Sequence, residues 1–239
     1  MNIPDRIALL DAVRDRFATG QGFALATINL DHLVKLRTSP SYRAIYAAQD
    51  LIVADGNPIV WLSRLAGTPV RLVPGSDILR PILQLAASER VPIGFFGSSP
   101  EVLVEAARRL NIEIPSLHVV WTGSPPMGFD PTGDEACAAL HAMRAAGVRL
   151  CIVSLSAPRQ EAFAAHGRTV TPEIGFCGFG AGLDFVVGEQ IRAPLWMRKV
   201  ALEWLWRALS APRRLLPRYA ACAAILPAEA LDALRQRIG

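Results

Sequence analysis

Short apolar runs, several of them rich in β-branched residues, alternate along the chain with longer stretches of amphipathic, helix-like pattern. The short runs are Phe23–Thr27, Leu51–Ala54, Pro92–Phe96, Leu117–Trp121, Val148–Ser154 and Glu173–Cys177. They have strand length and are nearly continuous in apolar character, as strands buried on both faces are. Between them, Pro100–Leu110 follows Ser98 and Ser99 as capping residues, and Gly133–Ala146 stops before Gly147. Strands that alternate with helices predict an α/β fold: a parallel sheet, Rossmann-like, covered by helices on both faces.

In such sheets ligands bind beyond the carboxyl ends of the strands, and those ends are where polar residues and glycines gather. They read Thr27-Ile-Asn29-Leu-Asp31-His32, Asp55-Gly56-Asn57-Pro58, Gly97-Ser98-Ser99-Pro100, Ser154 to Glu161, and Gly178-x-Gly180-x-Gly182-x-Asp184. The texture changes near residue 192. From Met197 to Leu209 the apolar residues fall on one broad helical arc, with Lys199, Glu203 and Arg207 opposite. Pro212 and Pro217 are expected to break the helical pattern beyond it. The expected organisation is therefore an α/β catalytic domain over 1–192 and a helical, membrane-proximal appendage over 193–239.

Charge sharpens that division. Arg192 to Arg218 holds seven cations and one acid, a local +6 in a chain of net +4, so the remainder sums to −2. Residues 193–226 also hold three of the five tryptophans. A confined basic patch suits an anionic surface or a phosphate ligand and argues against general nucleic-acid binding. No apolar run approaches the roughly 20 residues of a membrane span, and no secretion signal is expected at the start. Cys137, Cys151, Cys177 and Cys222 are scattered and read as free thiols.

Asp55 is the sharpest acid, because it follows an apolar strand and precedes a helix expected to begin at Pro58. It suits two roles: an N-cap that stabilises the helix, or a general base acting on a sugar hydroxyl. Gly97-Ser98-Ser99-Pro100 fits either phosphate at a helix N-terminus or an ordinary strand-to-helix turn. The Gly178-Gly180-Gly182 spacing differs from the dinucleotide fingerprint, and Leu183–Val187 reads as an apolar continuation of the strand. The four histidines show no metal-ligand spacing, and there is neither a Gly-x-Ser-x-Gly elbow nor an Asp-x-Asp pair. A departing diphosphate would then depend on arginines or helix N-termini.

Taken in order, the pieces resemble the WecG/TagA/CpsF glycosyltransferase family, family 26 of the glycosyltransferases. They are Thr27-x-Asn29-x-x-His32, Ala54-Asp55-Gly56-x-Pro58, Gly75-x-Asp77, Phe96-Gly97, Pro158-Arg159-Gln160-Glu161 and Gly178-x-Gly180 through Asp184 and Gly188. Arg192-Ala193-Pro194, Glu203-Trp204-x-x-Arg207 and Pro212-x-Arg214 to Arg218-Tyr219 complete the set, which runs from residue 20 to 220. Departures occur at Leu72, where the family usually has Arg (Arg71 lies one position earlier), at Ser156 for Gly, at Arg159 for Lys and at Phe163 for Trp.

The resemblance implies inverting, metal-independent transfer from a UDP-sugar, with no further cofactor, to a polyprenyl-diphosphate-linked saccharide. It places the work at the cytoplasmic membrane surface, in exopolysaccharide or cell-surface polysaccharide synthesis. By position, Asp55 matches the general base. Thr27, Asn29 and Gln160 match sugar-pocket residues, while Gly75, Asp77, Gly97, Glu161 and Asp184 fall on further motifs read as substrate-binding. Arg207, Arg214 and Arg218 match the C-terminal motif, where they would neutralise a diphosphate. A non-catalytic sugar-nucleotide or lipid-binding protein is the alternative reading. No nucleic-acid partner is expected, and a homo-oligomer is compatible with the sequence.

Overall fold

The computed structural model of the protein describes residues 1–189, 193–194, 196–197 and 202–238, the side chains of 207, 210 and 214 apart. Each of the six apolar runs carries a strand, with ends shifted by no more than two residues: β1 (Ala24–Ile28), β2 (Leu51–Ala54), β3 (Ile93–Gly97), β4 (Val119–Gly123), β5 (Leu150–Ser154) and β6 (Gly175–Gly178). All pair in parallel, in the order β2-β1-β6-β5-β3-β4. Every residue of β1, β3, β5 and β6 is buried, whereas the edge strand β4 is partly exposed. That is why the central runs are apolar without alternation.

Eleven helices accompany the sheet among the described residues. They are α1 (Arg6–Thr19), α2 (Leu30–Thr38), α3 (Pro40–Ala47), α4 (Asn57–Leu65), α5 (Gly75–Ser88), α6 (Pro100–Glu113), α7 (Asp134–Ala145), α8 (Arg159–Val170), α9 (Gly182–Val187), α10 (Glu203–Ser210) and α11 (Pro212–Ile238). The chain crosses one way from β2 to β3 and β4, and the other way from β1 to β2 and from β4 to β5 and β6. With right-handed crossovers, those two directions put helices on opposite faces. The two cores agree. Leu79, Ile82 and Leu103 pack with Phe95 on one face, while Met143, Phe163 and Phe176 pack with Phe96 on the other.

Two expectations are overturned. The helical pattern does break at Pro212, where α10 has ended at Ser210 and α11 opens, but it does not break at Pro217, which lies inside α11 with Pro227. A proline is tolerated in the first turn, and both interior prolines are exposed, where carbonyls left without a donor can be solvated. Residues 183–187 do not continue the strand. They belong to the short helix α9, which packs on α5 and α6. Gly180, at φ 52°, supplies the left-handed step that turns the chain out of β6.

The C-terminal segment lies along α2 and α4. Leu215, Cys222 and Ala233 are buried on one side of α11. Arg37 of α2 pairs with Glu229 and with Asp232 (3.1 Å), and Arg218 Nε reaches Asp31 Oδ1 at 2.8 Å. Arg192 and, within the expected amphipathic arc, Arg198, Lys199, Val200 and Ala201 lie outside the described residues.

Candidate functional site

The crevice is built at the carboxyl ends of β1, β2 and β6. Asp55 directly follows β2, half-buried, with its backbone N–H bonded to Ile28 O at 2.8 Å, which ties it to the end of β1. It is not the helix cap. Gly56 takes that position at φ 136°, and no side chain caps α4. The left-handed glycine lets the chain turn into α4 directly after the acid, and a Cβ at Gly56 would stand 3.7 Å from Asn29 Cβ. Asp55 therefore borders Asn29 across the β1–β2 gap.

Asn29 caps α2. Its Oδ1 accepts from the N–H groups of Asp31 (3.1 Å) and His32 (3.3 Å), so its amide NH2 is the part left to face a ligand. Thr27, buried in β1, lies beneath the start of α5, with its methyl 3.5 Å from where a Gly75 Cβ would be. That imagined Cβ would also press on Phe179 at 3.2 Å, so a side chain at 75 would fill the gap between β1, α5 and the β6–α9 loop. Asp77 stands exposed in the first turn of α5. Gln160, in the first turn of α8, spans to the same loop by accepting the Gly180 N–H at 2.9 Å, directly over Gly178. Thr27, Asn29, Asp55, Gly75 and Gln160 thus gather on one rim of the sheet, with Asp77 two residues beyond Gly75.

Other expected residues lie elsewhere. Gly97, at φ 102°, packs so tightly on β5 that a Cβ would meet Ser154 O at 2.4 Å. Asp184 accepts the Ser98 hydroxyl at 2.7 Å and, with Ser98, Ser99, Val102 and Glu189, lines a separate cavity of about 380 Å³. Arg218 is spent on Asp31, the same acid that pairs with Lys35. The side chains of Arg207 and Arg214 lie outside the described residues. Arg71 is exposed, with its N–H on Pro4 O, and Arg159 donates to the Ser156 hydroxyl at 3.2 Å.

Glu161 does not line the crevice. It is only 2% exposed and turns inward between α2, α3 and α8. Gln160 Nε2 donates to its Oε1 at 2.6 Å, and His32 Nε2 stands 3.7 Å from the same oxygen. Its other oxygen and the Tyr42 hydroxyl are both buried without a well-formed hydrogen bond, although the two groups are close enough that each shifts the other's proton affinity. Burial pushes the Glu161 carboxyl up, and burial together with the nearby Glu161 charge pushes the Tyr42 and Tyr46 hydroxyls up. Tyr46 also feels Asp55 and donates to Thr27 O at 3.1 Å. Gln49 Nε2 donates to Glu161 O at 3.0 Å. Sequence reasoning missed this buried group. Its signals were His32 three residues after the Asn29 cap, and Tyr42 and Tyr46 one turn apart on a helix.

His32 is held neutral. Burial above all, then the Lys35 charge, lowers its pKa from 6.5 to about 4. Its Nδ1 accepts the Asn29 N–H at 3.1 Å, so the neutral ring carries its proton on Nε2, facing Glu161. Because the native pKa is depressed, the unfolded chain takes up a proton between pH 6.5 and about 4 that the native state refuses. The protein therefore loses stability as pH falls through that window, by up to about 3 kcal/mol from this residue. Glu161, shifted upward, works with the opposite sign, because the stability it adds is present at low pH and lost as pH rises through its native pKa. Denaturant titrations from pH 7 to pH 4 should show a flatter acid-side loss for His32→Gln than for wild type. Equal slopes would mean that His32 titrates normally.

A parallel sheet, helices on both faces and a polar crevice beyond the strand ends, with a half-buried acid beside a cap asparagine, define a Rossmann-like α/β protein with a binding site of enzyme type. Comparison with family models makes the class specific: the glycosyl transferase WecG/TagA/CpsF family model matches residues 3–239. The chain belongs to that family, and hence to the glycosyltransferases of polysaccharide synthesis.

Proposed function

We propose that this chain is an inverting glycosyltransferase that moves a sugar from a UDP-sugar to a polyprenyl-diphosphate-linked saccharide, with Asp55 as general base. The observation that carries the reading is the placement of Asp55: at a strand end just before the Gly56 turn, against Asn29 and on the rim that Thr27, Gly75 and Gln160 share. In the reaction, an Asp55 oxygen takes the proton of the acceptor hydroxyl as that oxygen bonds to the anomeric carbon. The bond from that carbon to the UDP oxygen breaks on the opposite side, and its electron pair leaves with UDP. An oxocarbenium-like transition state lies between. Asn29 and Gln160 would orient sugar hydroxyls.

Metal-independent transfer is part of this reading, in keeping with a sequence that carries no Asp-x-Asp pair. Work at the membrane face is supported by Trp196, Trp204, Leu209, Leu216 and Leu231, all exposed in a C-terminal segment that also exposes Arg213 and Arg218. No helix among the described residues is long and apolar enough to cross a membrane. The direct test is UDP release from a panel including UDP-glucose and UDP-ManNAc, with a short-chain polyprenyl-diphosphate saccharide and EDTA present. Acceptor-dependent UDP release from one donor is expected to persist in EDTA. Release abolished by EDTA would overturn metal independence, and binding of UDP-sugars without release would favour the non-catalytic alternative.

A further inference from the structure

The crevice's two polar banks are joined beneath its floor. On one bank Asn29 N–H bonds to His32 Nδ1 (3.1 Å), and on the other Gly180 N–H bonds to Gln160 Oε1 (2.9 Å). Between them, His32 Nε2 (3.7 Å) and Gln160 Nε2 (2.6 Å) converge on a single atom, Glu161 Oε1. His32 and Glu161 are 4% and 2% exposed, so neither meets substrate directly. Aromatic rings confine the imidazole, with Tyr42 centred 6.4 Å and Tyr46 5.9 Å away, and Gln49 grips the Glu161 backbone. Neither capping α2 nor starting α8 requires a buried acid. A carboxyl group placed out of water in this way is costly and is retained only where its contacts are made.

We propose that Glu161 and His32 are positioning residues which, through one shared carboxylate oxygen, hold Asn29 and Gln160 in register across the crevice. The role in sugar recognition rests on the transferase reading, whereas the mechanical linkage does not. Glu161 bonded to Gln160 fixes the rotamer that presents Gln160 Oε1 to Gly180. The same oxygen, 3.7 Å from His32 Nε2, flanks the ring that receives the Asn29 N–H. Displacing Glu161 should release both banks together, although they lie on different elements.

The linkage is read without turnover, from residue-resolved amide hydrogen exchange of the full chain. In Glu161→Ala the Gly180 and Asn29 amides should both exchange roughly tenfold faster than in wild type, while amides within β5 and the middle of α8 keep their rates. Glu161→Gln, which retains an oxygen for Gln160, should restore Gly180. His32→Gln supplies the usual capping-box residue and so keeps an acceptor for Asn29 while removing the imidazole bridge. In that background Glu161→Ala should still release Gly180 and no longer reach Asn29. Unchanged exchange at both amides in folded Glu161→Ala, or uniform acceleration throughout the chain, would overturn the linkage. So would an Asn29 response that persists in the His32→Gln background. The transferase reading is tested separately by kcat/KM on the same variants, where Glu161→Ala should lose about tenfold and lose little more when Gln160→Ala is already present. Additive losses with the exchange pattern intact would confine the pair to structure, and no turnover by wild type on any donor would sink the transferase reading and leave the linkage standing.

Discussion

Asp55→Asn is expected to lower kcat by about 10²–10⁴-fold, the usual contribution of a positioned general base, while UDP-sugar binding and folding stay close to wild type. The exchange of one carboxylate oxygen for an amide keeps the shape of the side chain and removes the acceptor of the substrate proton. The backbone anchors at this position, the N–H on Ile28 O and the glycine turn at Gly56, are kept in the variant. Had Asp55 capped α4, its loss would cost about 1 kcal/mol of stability, but Gly56 holds the cap position and no side chain caps that helix. A fall in kcat with KM held marks a group needed in the transition state more than in the bound donor.

The second large effect falls on stability. Phe163 is fully buried at the centre of an aromatic cluster, stacked on Phe96 at 4.5 Å and edge-on to Phe176 at 5.9 Å, with Phe129 6.0 Å away. Phe163→Ala should cost about 3–5 kcal/mol, a large share of the roughly 5–15 kcal/mol that holds a domain together. A fall in Tm of roughly 6–20 °C by calorimetry follows for a chain of this size. A fall of a degree or two would mean that the cavity collapses at little cost. Phe163 lies on α8, one turn beyond Gln160 and Glu161, so loosening it should also blur the crevice.

The strands were legible because sheet burial on both faces demands continuous apolar runs, and the strand ends were legible because glycine and short polar residues collect there. The position of candidate residues at strand ends was legible, as with Thr27, Asn29 and Asp55. Placement was not legible where tertiary contact decides. The inward turn of Glu161 depends on His32, Tyr42 and Gln49, which arrive from distant parts of the chain. The commitment of Arg218 to Asp31 depends on α11 lying along α2. Proline misled at Pro217, because an exposed helix can solvate the carbonyl that a proline leaves without a donor. The residues 183–187 misled because five apolar-rich residues look alike as strand or as helix until Gly180 fixes the turn.

The central claim is that Asp55 performs the proton transfer, and single-turnover kinetics on wild type and Asp55→Asn, paired with calorimetric titration of the same UDP-sugar, test it most directly. The account predicts matching donor affinity and a transfer step slowed by at least about a hundredfold in the variant. A transfer step near the wild-type rate with donor bound equally well would contradict it.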